Sequence, residues 1–128
     1  MNLMPVFLTR EVIDNIHADS LAIFGGSAGV RDDGLIEPAL GSAQNAWFYG
    51  RGDLFEVAAA YAFHLAHAQA FIDGNKRTGI AAALIFLEYN GIPSRVDDGT
   101  LYDAMIGIAE RRLNKPQLAA VLQAFLQR

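Results

Sequence analysis

Phe71-Ile72-Asp73-Gly74-Asn75-Lys76-Arg77-Thr78 is a short polar stretch between two long apolar, alanine-rich runs, residues 54–65 before it and 80–87 after it. Gly74 permits a turn through positive φ and Asn75 suits a helix start, so the spacing predicts a helix over residues 76–89 that begins with free backbone N–H groups. Lys76 and Arg77 in its first turn oppose the helix dipole, at a cost on the order of a few tenths of a kcal/mol each. An anion is therefore expected to offset them. A phosphate held by Gly74, Asn75, Lys76 and Arg77 through backbone N–H groups, the Asn75 amide and the Arg77 fork would do so, and Asp73 could hold the Mg²⁺ that travels with a nucleotide. Asp-Gly is also a hairpin signal, but a hairpin needs strands on both sides, and both flanks here are long and alanine-rich.

Working outward, Asp53 is placed to cap the preceding helix. Between residues 54 and 65 only Glu56 and His64 interrupt the apolar side chains, the pattern of a helix buried on nearly all sides. Residues 80–87 read the same way, and Gly91 then Pro93 mark the stop. Two such helices packed together would hold the polar loop rigidly at the surface. Toward the N-terminus, Thr9 caps a first helix with Val12, Ile13, Ile16, Leu21 and Ile23 on its apolar side, ended by Gly25-Gly26-Ser27-Ala28-Gly29. That glycine run lacks the Lys-Ser/Thr of a phosphate loop and reads as a flexible connector. A second helix is expected over residues 35–47, with Asp32 or Asp33 as cap and Pro38 in its first turn. Toward the C-terminus, Asp97, Asp98 and Thr100 offer caps for a helix to about Leu113, and a last helix starts near Asn114 and Pro116.

Phe71, Asp73, Asn75, Lys76 and Arg77 match the loop His-x-Phe-x-Asp/Glu-x-Asn-Lys-Arg, and the chain resembles the Fic/Doc family, in its Doc branch, the toxin of Phd-Doc toxin–antitoxin pairs. The likeness extends through Asp53-Leu54-Phe55-Glu56 and Leu87-Glu88-Tyr89-Asn90-Gly91 to essentially the whole chain. One departure falls at the catalytic base: Gln69 stands where the family has histidine, followed by Ala70 where proline is frequent. An amide takes no proton from an attacking hydroxyl at neutral pH, so general-base catalysis, worth ~10²–10⁴ in rate, should be missing or supplied otherwise. If the helix continued to residue 69, His67 would lie about 200° and His64 about 140° around the axis from Gln69, pointing away.

The resemblance implies an all-α fold: a compact Fic-fold bundle of about six helices with the active loop between two central ones, as one domain over residues 1–128. It implies a nucleotide-dependent transferase that moves the γ-phosphoryl of ATP, with Mg²⁺, to a protein hydroxyl, the family target being elongation factor Tu. AMP-transferring members have glycine at the position of Lys76. Gln69, Asp73, Lys76 and Arg77 are then the catalytic candidates, Gly74, Asn75, Lys76 and Arg77 the nucleotide-binding ones, Asp73 the metal ligand and Phe71 a structural residue of the motif. Tyr49, Gly50, Arg51 and Gly52 would form a flap that docks the target, or else an ordinary interhelical turn. The built-in inhibitory signature Ser/Thr-x-x-x-Glu-Gly/Asn is not found, so a Phd-like antitoxin is expected in trans. The alternative is a catalytically inactive Fic-fold module that binds nucleotide or partner.

With 128 residues, 52% hydrophobic and 19% charged, the chain can bury a substantial core. A net charge of −4 and a pI near 5.2 argue against general nucleic-acid binding. No cysteine is present, which excludes disulfides and thiolate sites. Met1-Asn2-Leu3-Met4-Pro5 has no basic segment before an apolar one, and residues 79–87 are too few to span a bilayer, which needs about 20 residues. A cytoplasmic protein, off the membrane, is the expectation.

Overall fold

The computed structural model describes residues 4–127, so most of the stretch read for a signal peptide, residues 1–3, lies outside it. Six helices follow one another: α1 (Arg10–Phe24), α2 (Ile36–Phe48) entered through a 3₁₀ turn (Asp33–Leu35), α3 (Leu54–Ala68), α4 (Asn75–Tyr89), α5 (Thr100–Ala109) and α6 (Lys115–Leu126). The architecture is the all-α bundle expected. No helix among the described residues is long and apolar enough to cross a membrane.

α3 is the axis of the packing. Asp53 Oδ1 accepts from the Phe55 and Glu56 amides and fixes its start. Val57, Ala58, Ala59 and Tyr61 are fully buried, and α2, α4 and α6 pack around it. Alanine side chains let these neighbours approach closely, and at the α3–α4 crossing even alanine is too large. A Cβ on Gly79 would stand 2.7 Å from the carbonyl oxygen of Ala62. Around this crossing Tyr61, Phe86, Leu87, Leu101, Met105, Leu118, Leu122 and Phe125 are removed from water, each large side chain contributing roughly 1.5–3 kcal/mol. The segment before α1 is tied across the pair. Tyr61 Oη accepts from the Leu8 amide at 3.0 Å, and the Asn90 amide bridges Val6 N and O.

Several local expectations are corrected. Ile23 is 73% exposed, because the buried stripe of α1 runs Ile13, Ile16, His17, Ser20 and the last turn projects past the core. Asp32 and Asp33 make no cap bond to α2; Asp33 instead accepts from Arg10 Nη2 at 2.6 Å, which lowers its pKa. α5 stops at Ala109, four residues short of Leu113, since the Gly107 carbonyl accepts from the Arg112 and Leu113 amides and Arg111 turns to φ +61°.

Candidate functional site

α3 ends where Gln69 adopts the left-handed conformation (φ 49°, ψ 42°), and α4 begins after Gly74 does the same (φ 83°, ψ 16°). The five residues between α3 and this helix cap would be loose without outside partners, and each of them has at least one polar group bonded from outside the segment. Asn75 Oδ1 accepts from Phe71 N at 3.1 Å while its Nδ2 donates to Phe71 O at 2.9 Å. The Asn75 amide thus staples the loop shut, which accounts for asparagine there. Phe71 is buried and stacks on His17 with centroids 3.8 Å apart. His17 Nε2 lies 2.8 Å from the Asp73 carbonyl; a carbonyl only accepts, so Nε2 carries the proton.

The glycine run 25–29 is no flexible connector. It lies alongside the loop as a strap: Ile72 N donates to Gly29 O, Val30 and Phe71 form an antiparallel bridge, and Arg31 N and Asp32 N both donate to Ala70 O. Arg31 Nε and Nη2 reach Gln69 O at 3.0 and 2.6 Å, and Ser27 N donates to Asp73 Oδ2 at 2.8 Å. Glycine at 29 is required by the backbone, whose φ of +122° L side chains rarely adopt; a Cβ there would also press on the movable Ile72 Cδ1 at 2.9 Å.

Beside this loop opens a cleft of about 1260 Å³, walled by the end of α1, the loop, the first turn of α4, α5 and the α5–α6 turn. Lys76, Arg77, Arg111, Arg112 and Lys115 line it, against a single carboxylate, Asp73. Half of the lysines and arginines of a net acidic chain therefore line one cavity, and although Arg112 is paired with Glu110, the lining stays predominantly cationic, which concentrates anions. Asp73 Oδ1 has no protein donor among the described residues, and no cluster of three or more metal-ligating side chains occurs among them. One carboxylate suits an ion that brings its own phosphate and water ligands, as Mg²⁺ does.

Arg77 does not depend on a bound anion to offset the helix dipole. Its guanidinium carbon lies 4.0 Å from the Phe24 ring centroid and 3.9 Å from that of Tyr102, so two negative ring faces supply that role. Gln69 and His67 line the cleft together. α3 ends at Ala68, so residues 67 and 69 are not related by a helical rotation and His67 is not turned away from Gln69. His67 stacks on Phe63 with centroids 5.7 Å apart. His64 lies in a separate groove and sits 3.1 Å from Lys115 Nζ; burial, then the nearby positive charges, push its pKa down to about 4, so it is neutral at pH 7. Tyr49 and Gly50 also line that second groove, of about 530 Å³, and Tyr49 is 87% exposed. The two cavities share Lys115 and Pro116, and Arg51 is paired with Glu56.

Phe24, His17, Arg31, Tyr102 and the cations at residues 111, 112 and 115 were not legible as site residues, because their link to the loop is made only in three dimensions. The glycine run was the one available signal, five residues with four small turn formers and no phosphate-loop ending.

A model of the Fic/DOC family matches residues 7–87, taking in the strap, the loop, α3 and most of α4. The chain belongs to the Fic/DOC family. This Fic/DOC chain is 32% identical over 117 residues to "Protein kinase doc" of Escherichia phage P1, covering 91% of this chain and 92% of that one. It is 39% identical over 127 residues to "Toxin Doc" of Mycolicibacterium smegmatis, covering 95% of each. The Doc-like match extends beyond the motif to α5 and α6, which complete the cleft of this Fic/DOC protein.

Proposed function

We propose that this protein is a Doc-like toxin that transfers a phosphoryl group from ATP to a protein hydroxyl, with elongation factor Tu as acceptor and a Phd-like antitoxin restraining it in trans. The observation that carries this reading is the cationic cleft built over the stapled loop, with Lys76 and Arg77 in the first turn of α4 and Asp73 beside them. Phosphoryl transfer needs little covalent help from the protein; it needs positioning and neutralisation of charge. Gly74 and Asn75 expose the first backbone N–H groups of α4, Lys76 and Arg77 add charge, and Asp73 would hold Mg²⁺. When bound, that ion neutralises phosphate charge as it shifts during transfer. The two relatives carry "kinase" and "toxin" in their names, which favours this reading over AMP transfer.

Gln69 favours a second reading, a pseudoenzyme that holds nucleotide or partner without turnover. Nothing in the loop replaces a base at that position, and His67 is the histidine that shares the cleft. The test is transfer from γ-labelled ATP to purified elongation factor Tu, by this protein and by Gln69→His, with the Lys76→Ala/Arg77→Ala double variant as binding control. The transferase reading expects label from the natural sequence and loss of ATP·Mg²⁺ binding in a folded double variant. Label only from Gln69→His supports the pseudoenzyme, and unchanged ATP·Mg²⁺ binding by the double variant refutes the phosphate cradle on which the transferase and the nucleotide-holding pseudoenzyme both rest.

A further inference from the structure

We infer that Phe24 and Tyr102 are positioning residues that hold Arg77 as a fixed donor fork at the start of α4; this rests on the reading of Arg77 as a phosphate ligand. The guanidinium carbon lies over two rings, 4.0 and 3.9 Å from their centroids. A planar cation held against two rings loses freedom to rotate, and because its N–H groups all lie in its own plane, the direction in which it can donate is restricted with it. All three side chains line the cleft. Each comes from a different helix, Phe24 from the end of α1, Arg77 from the first turn of α4 and Tyr102 from α5.

Core packing does not explain Phe24. The side chain is 56% exposed, and α1 stops directly after it at Gly25, with φ 81°. Its position at the cleft rim is therefore set by the helix end and by the strap that follows, which is bonded to the loop through Ser27 and Gly29. Tyr102 is anchored from the other side, its amide donating to Asp97 Oδ2 at 3.0 Å. The same loop that presents Asp73 thus fixes, through the strap, one jaw of the clamp on Arg77. A free arginine loses rotamer freedom when it grips a phosphate; a clamped one has lost it beforehand, and the difference appears as affinity. Lysine would not substitute, because a compact ammonium has no plane for the rings to fix.

The experiment measures ATP·Mg²⁺ affinity by calorimetry for Phe24→Leu, Tyr102→Leu and Tyr102→Phe, each with Arg77 and with Arg77→Lys. With Arg77 in place, each leucine variant is expected to weaken binding by about two- to five-fold, the worth of one exposed cation–π contact, while Tyr102→Phe leaves it unchanged. In the Arg77→Lys background the leucine variants should have little further effect. Equal losses in both backgrounds would overturn the inference, since the rings would then act on ligand or fold directly; so would the absence of loss with Arg77. In the free protein, the Arg77 Nε–Hε NMR signal is expected to show a ring-current shift that relaxes in Phe24→Leu, and an unshifted signal refutes the clamp without reference to nucleotide. Full ATP affinity in Arg77→Ala would bring down the phosphate reading and the positioning claim together, even with the ring-current shift present.

Discussion

Replacing Gly79 by alanine tests whether the α3–α4 crossing is as close as the site requires. In an isolated helix the change would stabilise, because alanine exceeds glycine by about 1 kcal/mol in helix propensity. Here the added Cβ would stand 2.7 Å from Ala62 O, 3.3 Å from its Cα and 3.4 Å from its carbonyl carbon, all backbone atoms that no rotamer change can move. Overpacking of this kind costs roughly 1–3 kcal/mol, and with only backbone in the way the upper half of that range applies. After subtracting the propensity gain, the net loss is about 1–2 kcal/mol, or a fall of several degrees in Tm for a chain of this size. Gly41 provides the internal control. It lies in α2, and a Cβ added there would meet nothing within 4 Å, so Gly41→Ala should gain up to about 1 kcal/mol. Urea unfolding followed by far-ultraviolet circular dichroism would measure both, with the slope checked for constancy. If Gly79→Ala unfolds at or above the wild-type midpoint, the crossing is looser than described and the argument for a rigidly held loop fails.

Two further outcomes are expected. Asn75→Ala leaves both the N–H and the C=O of buried Phe71 without their partner, which should cost roughly 1–3 kcal/mol and speed exchange of the Phe71 amide; unchanged exchange would refute the staple. His64 has a folded-state pKa lowered from 6.5 to about 4, chiefly by burial, so the unfolded chain binds the proton first as pH falls. Its contribution to stability is complete above pH 6.5, is lost between 6.5 and about 4, and changes no further below that. Urea midpoints measured across this window should therefore fall less steeply in His64→Gln than in the wild type, and identical slopes would refute the assignment.

Much of the fold was legible because its determinants are local. Asp53, Thr9 and Asn114 each cap a helix through their own side chain, and the alanine-rich run of α3 can only belong to a helix surrounded by others. Helix ends set by non-local or strained geometry were harder to read. α5 stops early through a backbone reversal at Arg111, a residue with no turn preference to announce it, and Ile23 lies outside the core because α1 outruns it.

The sequence by itself determined the all-α class, the loop between two buried helices, and the concentration of Asp73, Asn75, Lys76 and Arg77 at one helix start, since a motif of adjacent residues carries its own spacing. The tertiary structure alone decided how those residues are used. It set Asn75 to the task of closing the loop, laid the glycine strap and Arg31 against residues 69–73, brought His67 into the cleft with Gln69, and placed Arg77 against two rings 53 and 25 residues away in the chain. Those relations depend on where separate helices end and cross, and no periodicity or propensity along the chain encodes the meeting of side chains from α1, α4 and α5.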